Sequence, residues 1–186
     1  MAQPVRILGV AGSLRAKSYN RMALNAAVEL APEDAVVEAL DLPDLPGFNQ
    51  DREKEPPAAV VELKRRIRAA DAVLFVTPEY NYSVPGVLKN AIDWASRPYG
   101  DSAFGGRCAA LMGASVGVLG TARAQYHLRQ TLVFLDMPTV NQPEVMIGQA
   151  HKHFDESGKL TDETAKKLIR QLLGALAALV RRQQAG

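Results

Sequence analysis

Short apolar runs recur along the chain and alternate with segments of helical periodicity. The runs have the length of strands and are apolar at nearly every position. They cover residues 5–11, 35–40, 72–77, 108–115 and 139–147. Because strands of this kind lie in parallel sheets that are covered on both faces, the pattern predicts a five-stranded parallel sheet in an α/β fold.

The segments between these runs carry apolar side chains at the spacing of one helix face. Four such stripes are Met22, Ala23, Ala26, Ala27 and Leu30; Val60, Leu63, Ile67 and Ala70; Val84, Val87, Leu88, Ala91, Ile92 and Ala95; and Ala124, Leu128, Leu132 and Leu135. A fifth helix is predicted to start with Thr161 as its N-cap and to continue through Leu179. No linker interrupts the alternation, so we expect one domain over residues 1–186, with residues 43–57 as a Pro-rich, charged surface loop.

Composition narrows the classes of protein. The 186 residues include 22 Lys and Arg against 20 Asp and Glu, and this net charge of +2 argues against a nucleic-acid surface. The single cysteine, Cys108, excludes an internal disulfide, and without Cys clusters we expect no iron–sulfur or zinc site. We interpret Cys108 as a buried, inert thiol. The first apolar run is too short for a signal peptide or a membrane span, which favours a cytoplasmic protein.

Parallel sheets of this class bind ligands beyond the carboxyl ends of their strands, so the loops after the first, third and fourth strands are the candidate site. The first loop leads into a helix with Ser13, Ser18 and Asn20 at its start. Free backbone N–H groups and short polar side chains at a helix N-terminus favour a phosphate group. The alternative is a polar turn that only caps the helix. The loop lacks the glycine patterns of ATP and dinucleotide sites.

The other two loops could contact a planar ligand. Two prolines, Pro78 and Pro85, stiffen the loop after the third strand, so that its backbone could meet the polar edge of a ring that Tyr80 and Tyr82 would flank. For Tyr82, packing at a subunit contact is an equally good interpretation. The glycines that follow Ser115 would let the backbone of the next loop approach a ring, although glycines also serve simple turns.

Three stretches resemble the NADPH-dependent FMN reductases, a family that includes quinone, azo-dye and chromate reductases. They are Gly12-Ser13-Leu14-Arg15 with Ser18 and Asn20; residues 78–86 continuing into Lys89-Asn90-Ala91-Ile92-Asp93-Trp94; and Tyr126-His127-Leu128-Arg129-Gln130. The similarity spans nearly the whole chain and implies a flavodoxin-like fold. It also implies ping-pong chemistry, in which NADPH or NADH reduces FMN and a small acceptor then reoxidises it, without a catalytic side chain.

The resemblance also implies roles for individual residues. Ser13, Arg15, Ser18 and Asn20 would hold the FMN phosphate; Pro78, Glu79, Tyr80 and Asn81 would meet the ring, mainly through backbone atoms; and Ser115 and Gly117 would approach it from the next loop. Arg15 is also expected to attract the phosphate of NADPH.

Family members form dimers that build the flavin pocket jointly and often pair into tetramers. Arg123, Tyr126 and Glu144 are expected at the second contact, and Trp94 is expected at a helix surface or the dimer contact. Two alternatives stay open: an electron carrier of the flavodoxin type, although such carriers are usually acidic and this sequence has a pI near 8.7, and a non-redox ligand-binding module.

Overall fold

The computed structural model of the protein describes residues 3–42 and 44–185 and shows five strands that alternate with five helices. In chain order these are β1 (Val5–Ala11), α1 (Tyr19–Glu29), β2 (Ala35–Asp41), α2 (Ala58–Ala69), β3 (Ala72–Val76), α3 (Gly86–Ala95), β4 (Cys108–Ala114), α4 (Ala122–Phe134), β5 (Val145–Ile147) and α5 (Glu163–Ala185). Two short 3₁₀ turns cover Gln50–Arg52 and Ala150–Lys152. None of the described helices is long and apolar enough to cross a membrane.

All strand pairs in the sheet are parallel, in the order β2-β1-β3-β4-β5. The chain moves from β1 outward to β2, then crosses to β3 on the other side of β1. This reversal is the topological switch point at which open α/β sheets bind ligands. The predicted five-stranded parallel sheet is therefore confirmed, and its switch point lies between β1 and β3.

Alternating side chains of the strands form two cores, one on each face of the sheet. On one face, α1 and α5 contribute Leu24 and Ile169, which pack with Leu74 of β3. On the other face, α2, α3 and α4 cover Phe75 of β3 and its neighbours. Helix α1 packs so closely on β1 that a Cβ at Gly9 would lie 2.3 Å from Cδ1 of Leu24. Full burial of one such apolar side chain contributes roughly 1.5–3 kcal/mol.

Two predicted boundaries differ from the structure. The strand predicted over residues 139–147 is confined to β5, with a single isolated bridge between Thr139 and Ala109 before it. Pro143, inside the predicted run, has no N–H to donate to a continuous ladder. Thr161 does not cap α5, because its backbone N–H and hydroxyl donate to the His153 carbonyl. Asp162 caps the helix instead and accepts from the Ala165 N–H at 2.6 Å.

The predicted surface loop, whose first residue Pro43 lies outside the described residues, packs on α3. Trp94 is only 1% exposed, and its Nε1 donates to the Pro46 carbonyl at 2.8 Å. Phe48 lies edge-on against its ring. The side-chain amide of Asn90 binds the same segment, accepting from Phe48 N at 2.7 Å and donating to Pro46 O at 3.0 Å. The expectation of Trp94 at a surface or subunit contact is therefore wrong: the loop covers it.

Candidate functional site

The three predicted loops meet in one groove at the carboxyl ends of β1, β3 and β4. The groove is open to solvent, and the space left by protein atoms there, including its open mouth, is about 480 Å³. Its lining residues are Ser13, Arg15, Ser18, Tyr19, Asn20, Pro78, Glu79, Tyr80, Ala114, Ser115 and Val116. Eight of the ten predicted site residues are among them. The other two, Asn81 and Gly117, belong to the same loops but do not line the groove.

The first loop brings a helix N-terminus to the groove. Ser18 is the N-cap of α1, and its Oγ accepts from the Asn20 N–H at 3.2 Å. Ser13 Oγ accepts a longer bond, 3.4 Å, from the Arg15 N–H, and both serines are buried. Arg15 and Lys17 are exposed at the same end of the helix. The helix dipole, two hydroxyls and two cations together favour an anion here.

Asn20 lies in the groove, but its side chain is bound to the protein. Nδ2 donates to the Ala114 carbonyl and Oδ1 accepts from the Ala114 N–H, each at 2.9 Å. The residue is 3% exposed. The amide predicted to hold a phosphate thus connects the start of α1 to the last residue of β4.

The loop after β3 is a tight reverse turn. Tyr80 and Ser83 exchange backbone hydrogen bonds of 3.1 and 3.0 Å, and the two residues between them, Asn81 and Tyr82, have φ angles of 51° and 65°. Two central residues with positive φ define the type I′ hairpin turn. A bulky residue such as Tyr82 rarely adopts this conformation, so other contacts must hold the turn.

Helix α4 supplies those contacts. The Glu79 side chain is 7% exposed and accepts from the backbone N–H groups of Arg123 and Ala124 at 3.1 and 3.2 Å. It also pairs with the Arg123 guanidinium, whose Nε donates at 2.5 Å. The same guanidinium lies 3.6 Å from the centre of the Tyr82 ring. Glu79 therefore caps α4 and fixes the hairpin turn, a role that sequence reasoning missed because its partners lie 44 and 45 residues away.

The loop after β4 is held by hydrogen bonds of the Ser115 side chain and has free space beside it. The Ser115 hydroxyl donates to the carbonyl of Gly117 at 3.3 Å and also to that of Gly120. A Cβ at Gly117 would meet only Ser115 Oγ, at 3.7 Å, so there is free space above this residue. Val116, Val118 and Leu119 expose more than half of their surface. The loop therefore offers backbone and apolar side chains to a flat ligand.

Two of the residues expected at a subunit contact influence each other. Tyr126 is exposed, and the carboxylate of Glu144 raises the pKa of its phenol. Arg123, the third, is already engaged by Glu79 and Tyr82 within the same chain. No group of three or more His, Cys, Asp or Glu residues in the described part of the chain could hold a metal ion.

A doubly wound parallel sheet, an anion-binding helix start at its switch point and two further loops around an open groove define a flavodoxin-like protein that binds a phosphate-bearing planar cofactor. Residues 5–152 match the NADPH-dependent FMN reductase family, and the chain belongs to that family.

Similar proteins cover nearly the whole chain. An NAD(P)H-dependent FMN reductase of Pseudomonas aeruginosa is 54% identical over 183 residues, or 98% of each chain. A quinone reductase of Pseudomonas putida is 50% identical over 165 residues, 88% of this chain and 89% of its own. Among solved structures, the flavoenzyme NAD(P)H:(acceptor) oxidoreductase FerB of Paracoccus denitrificans has a TM-score of 0.86 and 37% identity, covering 96% of this chain and 98% of its own.

Proposed function

We propose that this protein is an FMN-dependent oxidoreductase that uses NAD(P)H to reduce quinones or similar small acceptors. The observation that carries the proposal is the convergence of three loops on one groove at the switch point of the sheet. The names of the relatives support quinones as the acceptor class.

Both ends of the groove carry groups that suit FMN. At the phosphate end, the start of α1 presents the buried hydroxyls of Ser13 and Ser18 beside the exposed Arg15, a donor set suited to a dianion. At the ring end, the backbone of Pro78, Glu79, Tyr80 and Asn81 would meet the polar edge of the ring. Ser115 and Gly117 would approach it from the next loop, where the space above Gly117 suits a flat group.

Bound FMN supplies the redox chemistry, accepting hydride from NAD(P)H and passing electrons to the acceptor. The chain contributes orientation and electrostatics. Among the residues that the structure describes, Glu79 supplies the only carboxylate that lines the groove, and it is paired with Arg123 and with the N-terminus of α4. Its negative charge is therefore compensated within the protein, which keeps the ring end suitable for a flavin that becomes anionic on reduction. We assign no catalytic side chain.

Arg15 is also the residue we propose to attract the phosphate of NADPH. It is exposed at the mouth of the groove, and Lys17 lies two residues further along the same loop. Replacing Arg15 with Ala should weaken FMN retention, raise the KM for NADPH, or both. The assignment is wrong if both quantities stay at the wild-type level.

The central experiment measures flavin content and turnover in the purified protein. We expect about one FMN per chain after reconstitution and NADPH oxidation that depends on an added quinone. A panel of a quinone, an azo dye, chromate and free FMN, each with NADPH and with NADH, assigns the acceptor and the nicotinamide preference. A protein that does not bind FMN contradicts the proposal and favours a non-redox ligand-binding module. Flavin binding without NAD(P)H oxidation favours the electron carrier.

We further propose a homodimer, paired into a homotetramer, through surfaces that include α4. The outward face of this helix carries Tyr126, Val133 and Phe134, which are 51%, 79% and 67% exposed. Aromatic and aliphatic side chains grouped in this way are typical of subunit contacts. Light scattering measures the molar mass of the wild type and of Phe134→Asp in solution. The variant should form an assembly of lower mass than the wild type, and a monomeric wild type would contradict the proposal.

A cytoplasmic location is also proposed, supported by the single buried thiol and by the use of NAD(P)H in the proposed reaction. Fractionation of cells that produce the protein tests this proposal.

A further inference from the structure

A side-chain amide connects the two ends of the groove. Asn20 lies at the start of α1, two residues after its N-cap Ser18, and binds both backbone groups of Ala114, 94 residues away. Ser115, the first residue of the loop after β4, directly follows Ala114. Asn20 is 3% exposed, so water cannot take the place of either hydrogen bond without a large cost in free energy.

This amide binds β4 just beyond the point where its pairing with β3 ends. The last bond from β3 to β4 runs from Thr77 N–H to Met112 O at 3.0 Å. Beyond this bond the chain leaves β3 for the hairpin turn, and the described residues show no further backbone hydrogen bond between the two strands. Ala114 lies two residues past Met112 on β4. Its N–H and C=O would have no strand partner there, and the donor and acceptor of Asn20 satisfy both.

From this geometry we propose that Asn20 is a positioning residue that acts on the flavin through Ala114 and not as a ligand of its phosphate. The amide fixes the position of the loop after β4, which begins at Ser115, relative to Ser13 and Ser18 at the phosphate end. Without it, Ala114 loses its partners and the loop is released from α1. This inference rests on the proposed function, because it requires FMN in the groove.

The test compares two flavins that differ only in the phosphate group. Dissociation constants of FMN and riboflavin are measured by fluorescence quenching with the wild-type apoprotein, Asn20→Ala and Arg15→Ala. Asn20→Ala should weaken both flavins by the same factor, about tenfold or more, because two buried backbone groups lose their partners. Arg15→Ala is the matched control at the phosphate end and should weaken FMN but leave riboflavin unchanged.

Other outcomes overturn the inference. A loss confined to FMN in Asn20→Ala would make Asn20 a phosphate ligand, and unchanged affinity for both flavins would remove any role in binding. If Asn20→Ala does not fold, hydrogen exchange of the Ala114 N–H in the wild-type apoprotein tests the contact with Asn20 instead. A protected Ala114 N–H supports the Asn20 contact, whereas exchange at the rate of a surface amide refutes it. A wild type that binds neither flavin disproves the proposed function itself, which is a distinct result.

Discussion

Replacing Glu79 with Ala removes the buried carboxylate that fastens the ring-end hairpin turn to α4. The variant loses the acceptor for two backbone N–H groups at the start of α4, and a lost N-cap costs about 1 kcal/mol. A compensating charge on the helix dipole is worth up to about 1 kcal/mol. The ion pair with Arg123, whose side chain is 40% exposed, adds about 0.5–1 kcal/mol after solvent screening. We therefore expect the free energy of unfolding to fall by about 1.5–3 kcal/mol.

Urea denaturation of the flavin-free protein, followed by circular dichroism, measures this change. The urea midpoint should fall with little change in slope, and in a thermal melt the Tm should fall by about 3–12 °C. Glu79→Gln, which keeps an acceptor oxygen but loses the charge, should lie between wild type and Glu79→Ala. The control is Glu62→Ala, because Glu62 forms an exposed ion pair with Arg65 within one helix and should have no measurable effect. The reasoning fails if Glu79→Ala is no less stable than Glu62→Ala.

Three further predictions concern residues away from the groove. The hydrogen bond from the buried Lys64 ammonium is the main cause that lowers the pKa of Asp101 in the folded protein. The pair therefore stabilises the fold at pH values above the unfolded-state pKa of about 4. This stabilisation is lost as the pH falls through the lower pKa of the folded state. Urea midpoints of wild type and Asp101→Asn should therefore differ at neutral pH and converge in acid; a gap that stays constant to about pH 2 contradicts this. Burial raises the pKa of the Cys108 thiol, so a thiol reagent should react with it only when urea unfolds the protein, and rapid reaction of the native protein would be inconsistent with the fold. Trp94, the single tryptophan, should emit at short wavelength and resist acrylamide in the native state, whereas easy quenching would mean that the segment with Pro46 does not cover it.

The sequence was most informative where the physical signal is local. Runs of apolar residues at strand length located β1 to β4 closely; in β1, β3 and β4 the reason is that a strand buried on both faces can tolerate few polar positions. The site followed from one rule of topology: all parallel strands end at the same edge, so loops after β1, β3 and β4 must approach one another. The fifth strand was overestimated, because apolar character continues from residue 139 while Pro143 prevents a continuous ladder.

What only the tertiary structure decided is which polar group binds which. Asn20 and Ala114 are 94 residues apart, Trp94 and Pro46 are 48 apart, and Glu79 and Arg123 are 44 apart. Side-chain hydrogen bonds are short and directional, so these pairings depend on atomic positions that periodicity does not encode. The sequence thus predicted that a phosphate-bearing planar ligand would bind between three loops. The packed structure decided that Asn20 connects two of those loops and that Glu79 anchors the third to α4.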